Sequence, residues 1–338
     1  MSLLPSPCRA TALSAARRLD TIDLEIELHS SMLKILRAGK QNTVQDLGRT
    51  GYRHLGVARA GALDLPALAM ANRLVANPAH FAGLEVVVGT LEVQFLRDAW
   101  FAICGADFES SLDEQPQSIY WRTKARAGQR LVMRGARSGM RAYLAIDGGI
   151  DVPEVMHSRS TDLQAGFGGW KGRCLQAGDL LPLGAPQSLA KPIGTLHSKW
   201  TPTIRAIPGP EYEEFNAASR EQFWSQAWLV TNQSNRMAYR LQGSVLQRKN
   251  QNELASHAVM PGVVQVPANG QPIVLLADAQ TTGGYPKIAC VIEADLWKFA
   301  QAPAGRKIVF VETDVAGALA AKKQLQQELY RFEWSAYG

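Results

Sequence analysis

"QVPANGQPIVLLADAQTTGGYPKIACVI", residues 265–292, sets two apolar runs, "PIVLLA" and "KIACVI", on either side of a polar loop. Each run has the length of a strand, is rich in aliphatic residues and is bounded by Pro, Asn, Gly or Asp, which predicts β-structure. The loop between them, "DAQTTGGYP", carries amide, hydroxyl and phenol groups on a glycine-rich backbone, with charge only at Asp278 and at Lys287 just beyond it. A turn explains such a loop, and so does a site that grips a small polar molecule through hydrogen bonds.

Working outward, the same pattern fills the chain. Strand-like runs recur as "LKILRAG", "GLEVVVGTLEVQFL", "AWFAICGADFESSLD", "QRLVMRG", "RAYLAIDGGI", "TIRAIPG", "AWLVTN" and "KIVFVE", closely punctuated by Gly, Pro, Asn and Asp. This predicts a mainly β protein of barrels or sandwiches with few helices. Ala-Gly turns before strands recur at 127, 177 and 304 and suggest two related halves. Helices are expected over residues 65–76 behind the N-cap Asp64, over 211–225, over 294–300 and over 315–332. The Pro- and Gly-rich stretch 184–202 reads as a seam, giving domains 32–190 and 191–338 behind an N-terminal extension, 1–31, expected to be disordered.

Composition excludes several classes. The 338 residues carry a net charge of +6, and much of the excess lies in Arg122–Arg141, which contains no acid. Without interleaved aromatic stacking platforms that stretch predicts a solvated hairpin surface and no nucleic-acid partner. No apolar run approaches the roughly 20 residues that span a bilayer, so no membrane association is expected. The cysteines, at 8, 104, 174 and 290, never form a C-x-x-C pair, which points to reduced thiols, a cytoplasmic protein and no metal site.

Four polar stretches could carry chemistry. "TVQDLGRTGYRHLGVARAGALD" (43–64) sets Gln45, Asp46, Arg49 and Asp64 among glycines and feeds a helix with Asn72. "MHSRSTDLQAGFGGWKGR" (156–173) places Arg159, Thr161 and Asp162 before a G-x-G-G-x-x-G cluster that is neither a phosphate loop of the G-K-[ST] type nor a Rossmann fingerprint. "NQSNRMAYRLQG" (232–243) brings Asn235 and Arg236 to the start of a strand. The fourth is the loop first quoted, with Gln280, Thr281, Thr282, Gly283, Gly284, Tyr285 and Lys287. Each is also explained as an ordered loop held by its own hydrogen bonds. No Ser-His-Asp order, nucleophile elbow or paired-carboxylate motif accompanies them, so binding by amide, hydroxyl, Arg and Lys groups is the chemistry on offer.

Taken in order, "TVQDLGRTGYRHLGVARAGALD" with "ANRLVAN", then "YLAIDGGIDVPEVMHSRSTDL", "SNRMAYRLQG" and "QVPANGQPIVLLADAQTTGGYPKIACVI" resemble the allophanate hydrolase subunit 2, or biotin-dependent carboxyltransferase, family. The likeness covers residues 32 to about 333; Ala238, Ala255 and His257 are small departures. It implies two tandem cyclophilin-like β-barrel domains and a partner resembling allophanate hydrolase subunit 1. Members of the family look like either the carboxyltransferase part of urea carboxylase or the C-type subunit of ATP-dependent 5-oxoprolinase, which works with B-type and A-type subunits. A third branch pairs a kinase inhibitor with a non-enzymatic antagonist.

The sequence contains no biotin-attachment Met-Lys-Met and no biotin carboxylase segment, which favours the 5-oxoprolinase branch. ATP is then expected in the complex, with biotin on a separate carrier only under the carboxyltransferase alternative. Within the matched motifs the expected catalytic residues are Lys287, Asp46 (as base or as orienter of an arginine) and Gln280. Substrate contacts are expected from Arg49, Asp64, Asn72, Arg159, Thr161, Asp162, Asn235, Arg236, Thr281, Thr282, Gly283, Gly284 and Tyr285. A lone chain is expected to be inactive.

Overall fold

The computed structural model describes residues 32–196, 199–250 and 254–337, so the disorder expected of the N-terminal extension lies outside the described residues. The fold is mainly β. A nine-stranded sheet that does not close runs in the order Thr43–Gln45, Gly83–Val87, Arg130–Ile146, Leu91–Phe95, Met32–Arg37, Leu180–Pro182, with Ala99–Leu112 also paired to Arg130–Ile146. Seven later strands form a closed barrel in the order Thr203–Pro208, Lys287–Val291, Val263–Gln265, Ile273–Leu275, Ala238–Gln242, Ala227–Val230, Lys307–Glu312. All its pairings are antiparallel except the closing one, where Thr203–Pro208 runs parallel to Lys307–Glu312.

Alternation along these strands builds one core per sheet. Leu33, Ile35, Val93, Phe95, Phe101 and Leu144 fill the first, while Ile204, Trp228, Val264, Val274 and Phe310 fill the second. Phe223 stacks on Phe310 with centroids 4.6 Å apart, pinning a helix to the barrel. Burying each side chain of this size contributes about 1.5–3 kcal/mol. Among the described residues no helix is long and apolar enough to cross a membrane.

Local signals place the helices. Helix α1, Leu65–Leu74, is capped by Asp64, whose Oδ1 accepts the Ala67 amide at 2.9 Å, and Pro66 sits in its first turn where no N–H is needed. The helix expected over 211–225 is broken. A 3-10 turn, Tyr212–Glu214, ends at the extended Phe215, and Asn216 then caps α2, Ala217–Ser225, by accepting the Ser219 amide. Burial of Phe215 in the barrel core outweighs helical continuity. Helix α3, Trp297–Ala300, and α4, Val315–Tyr337, follow.

Two expectations need correction. "QRLVMRG" and "RAYLAIDGGI" belong to one strand of 17 residues, Arg130–Ile146, whose pairing with Ala99–Leu112 shifts register at Gly105/Asp107 and beyond. Those bulges bend the strand, so its start pairs with Leu91–Phe95 and its end with Gly83–Val87. Nor is Arg122–Arg141 uniformly a solvated surface. Lys124, Arg126, Arg130, Arg134 and Arg137 are exposed, but Arg122 and Arg141 are buried. Arg122 donates to the carbonyls of Leu74 and Lys191, and Arg141 donates to the Tyr239 hydroxyl of the barrel and to the Ala300 carbonyl. The three Ala-Gly turns share one conformation, with Gly128, Gly178 and Gly305 at φ +88, +92 and +85.

Candidate functional site between the open sheet and the barrel

The strands flanking the polar loop 276–286 are not neighbours. Val263–Gln265 lies between them, pairing Val264 with both Val274 and Ala289, so the loop must arch over the end of that strand. An arch of this kind leaves its polar side chains at the mouth of the barrel, and Gln280, Thr282 and Tyr285 are indeed exposed. Thr282–Gly283 pairs with His257–Ala258, and the Thr281 carbonyl accepts the Val259 amide at 3.0 Å, while Gly284 packs against the Leu254 carbonyl. Behind the arch Lys287 is buried. Its Nζ lies 3.0 Å from Glu211 Oε2, off hydrogen-bond alignment, while its own amide donates to that oxygen at 2.9 Å.

The first-sheet loop 43–64 meets this arch. Gly48 and Gly61, at φ +84 and +89, lie back to back, and a Cβ on Gly61 would stand 2.8 Å from the Gly48 nitrogen, so only glycine lets the two arms of the loop touch. From it Arg53 donates to the Val259 and Gln280 carbonyls at 2.7 and 2.8 Å, and the Ala60 amide donates to the Ala277 carbonyl at 3.1 Å. Burial, with Arg59 beside it, lowers the Arg53 pKa.

Beneath these loops is a charged cluster that joins the two sheets. Arg236 donates to Asp278 Oδ2 and Oδ1 at 2.8 and 3.0 Å, to Glu85 Oε1 at 2.6 Å and to the Gly61 carbonyl at 2.6 Å. Glu85 Oε2 also accepts the Tyr143 hydroxyl and the Leu63 amide. Burial raises the Glu85 pKa, but Arg236 and Arg141 outweigh it and hold the carboxyl below its ordinary range. Burial likewise works against the Arg236 charge, and Glu85 and Asp278 outweigh it, so the guanidinium stays firmly protonated. Asp64, 2% exposed, accepts Gln301 Nε2 at 2.7 Å, and burial pushes its carboxyl up to about 6.

Asp46 ties the third motif to the first. It accepts the Gly48 amide and the hydroxyls of Ser158 and Ser160 on Oδ1, and the Arg159 amide on Oδ2. These bonds tie residues 158–160 to loop 43–64, the arrangement an orienting residue needs. Arg159 turns outward to Asp151 and Glu154 at 3.0 and 2.7 Å, so its fork is already occupied. Asp162 caps the Gln164 and Ala165 amides, Thr161 bonds the Val44 carbonyl, Asn72 the Phe81 carbonyl, and Asn235 the Met237 and Ala238 amides. All of these are scaffold contacts, and Asn72 stands with Asn77 around the end of α1.

Arg49 differs from these. It is 1% exposed, donates Nη2 to the Ser160 carbonyl at 2.5 Å and lies 4.5 Å from the Phe167 ring centroid, yet its Nε and Nη1 have no partner. Burial lowers its pKa, against the pull of Asp46, Asp162 and Asp278. The residues missed from the sequence are Glu85, Arg53, Glu211 and Gln301. Only Glu85 carried a signal, as an acid inside the apolar run "GLEVVVG". Among the described residues no group of three His, Cys, Asp or Glu could hold a metal ion.

The family model for the carboxyltransferase domain, subdomain A and B, matches residues 55–312, which takes in the arch, the charged cluster, the barrel and all of the open sheet but its first two strands. The chain belongs to the carboxyltransferase domain family. Within it, this chain is 51% identical over 304 residues to the C subunit of 5-oxoprolinase from Escherichia coli, covering 90% of this chain and 98% of that one. The corresponding C subunit of 5-oxoprolinase from Haemophilus influenzae is 44% identical, with 88% and 96% covered. A putative urea carboxylase of Emericella nidulans is 30% identical over 89% of this chain but only 26% of its own length. The carboxyltransferase fold is also seen in the crystal structure of the K. lactis urea amidolyase, which superposes at a TM-score of 0.83 and 29% identity over 89% of this chain and 20% of that one.

Proposed function

We propose that this carboxyltransferase-domain chain is the C-type subunit of an ATP-dependent 5-oxoprolinase. It would act in the cytoplasm with B-type and A-type partner subunits to open 5-oxoproline to glutamate. The supporting observation is the match to the E. coli C subunit along 98% of that relative's length, against a quarter of the more distant urea carboxylase.

The arch is the gripping element. Gln280, Thr282 and Tyr285 present hydrogen-bonding side chains to the lactam, and Thr281, Gly283 and Gly284 give the backbone that lets it approach. Lys287 supplies a fixed ammonium toward the amide oxygen. Its charge is held by Glu211 while its N–H groups are not consumed in aligned bonds. Negative charge grows on that oxygen as the amide is activated, and a preorganised donor in a dry site favours this step. Asp46 acts as a positioning residue that holds the 156–173 loop against Arg49.

ATP supplies the driving phosphoryl group in the complex, but the residues of this chain do not fit it. The amides of Gly166, Phe167 and Gly172 are bonded to the Asp162 and Gly168 carbonyls, and no G-K-[ST] closes the glycine cluster, so the lysine and hydroxyl of a phosphate loop are not supplied there. The nucleotide therefore belongs to one of the partner subunits in this reading.

The family match also supports a second reading, transfer of a carboxyl group from carboxybiotin on a separate carrier to urea or another amide. Co-expression with the neighbouring B- and A-type chains separates the two. ATP-dependent glutamate release from 5-oxoproline supports the first. An intact complex that releases none, and carboxylates urea from carboxybiotin, replaces it with the second.

A further inference from the structure

We infer that Arg49 is a carboxylate anchor enclosed beneath the glycine-rich loop, and that it makes the site selective for amides that also carry an acid. This rests on, and sharpens, the lactam reading above. Three observations converge. Arg49 is almost wholly withdrawn from solvent, and two of its three guanidinium nitrogens have no partner. Buried polar groups are ordinarily satisfied, and an unpaired buried cation is the costliest kind to leave.

The acids around it are all committed elsewhere. Asp46 is engaged by two serine hydroxyls and two amides, Asp162 caps its own turn, and Asp278 is engaged by Arg236. The two other arginines of the same loop do not compensate. Arg53 and Arg59 spend their hydrogen bonds on carbonyls, of Val259, Gln280 and Leu47. Loop 43–64 thus carries three guanidinium groups facing backbone oxygens, and among the described residues no carboxylate forms an ion pair with any of them. The two unfilled Arg49 nitrogens are donors that a bound anion would satisfy.

The cover fits closely. Phe167 lies over the guanidinium, and a Cβ on Gly168 would stand 2.1 Å from Arg49 Nη2 and 2.2 Å from the Ser160 carbonyl. Only glycine allows that approach. The loop's tip, residues 163–166, is exposed, and the bridge between Asp162 and Phe167 closes it together with the Asp162 caps. Lifting Phe167 opens the two free nitrogens of Arg49 to a carboxylate, and the lactam ring then extends toward the arch. A carboxylate suits these planar, charged donors.

The test compares 5-oxoproline with 2-pyrrolidinone, the same ring without the acid, and with inorganic phosphate, by calorimetry on the assembled complex. The wild type is expected to bind 5-oxoproline about tenfold or more tightly than 2-pyrrolidinone, the worth of one charge-assisted contact. Arg49→Gln should erase that preference and leave 2-pyrrolidinone binding as it was, and Arg49→Lys should restore part of it. Should Arg49→Gln fail to fold, the wild-type melting temperature, raised by 5-oxoproline and not by the neutral ring, carries the test.

A folded Arg49→Gln complex that keeps the preference, or loses both ligands equally, overturns the inference. So does a wild type that binds phosphate at this arginine and no carboxylate. Turnover of 5-oxoproline with the preference intact in Arg49→Gln sinks the anchor alone. Arg49-dependent binding of the acid without turnover sinks the 5-oxoprolinase reading alone.

Discussion

Arg236 of the barrel donates to Glu85 of the open sheet at 2.6 Å, and the carboxylate receiving it is fully buried. This contact joins the two sheets across 151 residues of sequence and holds Asp278 at the foot of the polar arch on its other side. The site therefore depends on an ion cluster whose Glu85 is fully buried and whose Arg236 and Asp278 are largely so.

Removing one partner should cost far more than a surface bridge. Arg236→Ala leaves Glu85 and Asp278 buried without their main cation, and we expect a loss of about 3–5 kcal/mol. Chemical denaturation measures it, and a loss below about 1 kcal/mol would show that the cluster does not hold the sheets together.

The two buried carboxylates should give opposite pH dependence. Glu85 has a depressed pKa, so its contribution is complete above the ordinary 4.5 and is lost as pH falls through the lower folded value. Asp64 has a raised pKa. Its folded state holds a proton more tightly than the unfolded chain, so the stability it contributes is present below the ordinary 3.8 and is lost as pH rises through about 6. That amounts to about 3 kcal/mol in total. Asp64→Asn, which keeps a capping side chain, should flatten the fall between pH 4 and pH 7 in denaturation midpoints, about the window those pKa values span.

Lys287→Ala should lower kcat of the assembled complex by about 10²–10³-fold, the effect of losing one preorganised donor to a developing oxyanion. Glu211→Gln should lower it less, since the ammonium remains. Steady-state kinetics decide, and unchanged turnover in Lys287→Ala takes the arch out of the chemistry.

Gly168→Ala should disturb the cover over Arg49. The added methyl meets Arg49 Nη2 and the Ser160 carbonyl at φ +71, so about 1–3 kcal/mol of stability should go. Gly128→Ala is the control, because its exposed turn, at φ +88, has nothing within 4 Å of the new atom. A larger loss at Gly128 than at Gly168, by thermal unfolding, would contradict the close fit.

Much of this was legible beforehand. Strand alternation in "KIVFVE" or "AWLVTN" needs only neighbouring residues, and the N-cap Asp64 with Pro66 announces α1 locally. The break before α2 was not, because the pull on Phe215 comes from a core assembled by strands far away in sequence. For the same reason Arg122 and Arg141 read as surface charge: nothing near them in the chain shows that Leu74, Lys191 and Ala300 offer them carbonyls.

The sequence by itself determined the β architecture, the polar loops and the family, because periodicity, turn chemistry and long ordered motifs are properties of contiguous residues. Only the tertiary structure decided which polar residues are free to act. Asp46, Arg159, Asp162 and Asn72 are engaged by partners within the scaffold, while two nitrogens of Arg49 have none. A side chain's chemistry depends on which of its donors and acceptors remain unfilled, and that count is settled by groups brought together only when the open sheet meets the barrel.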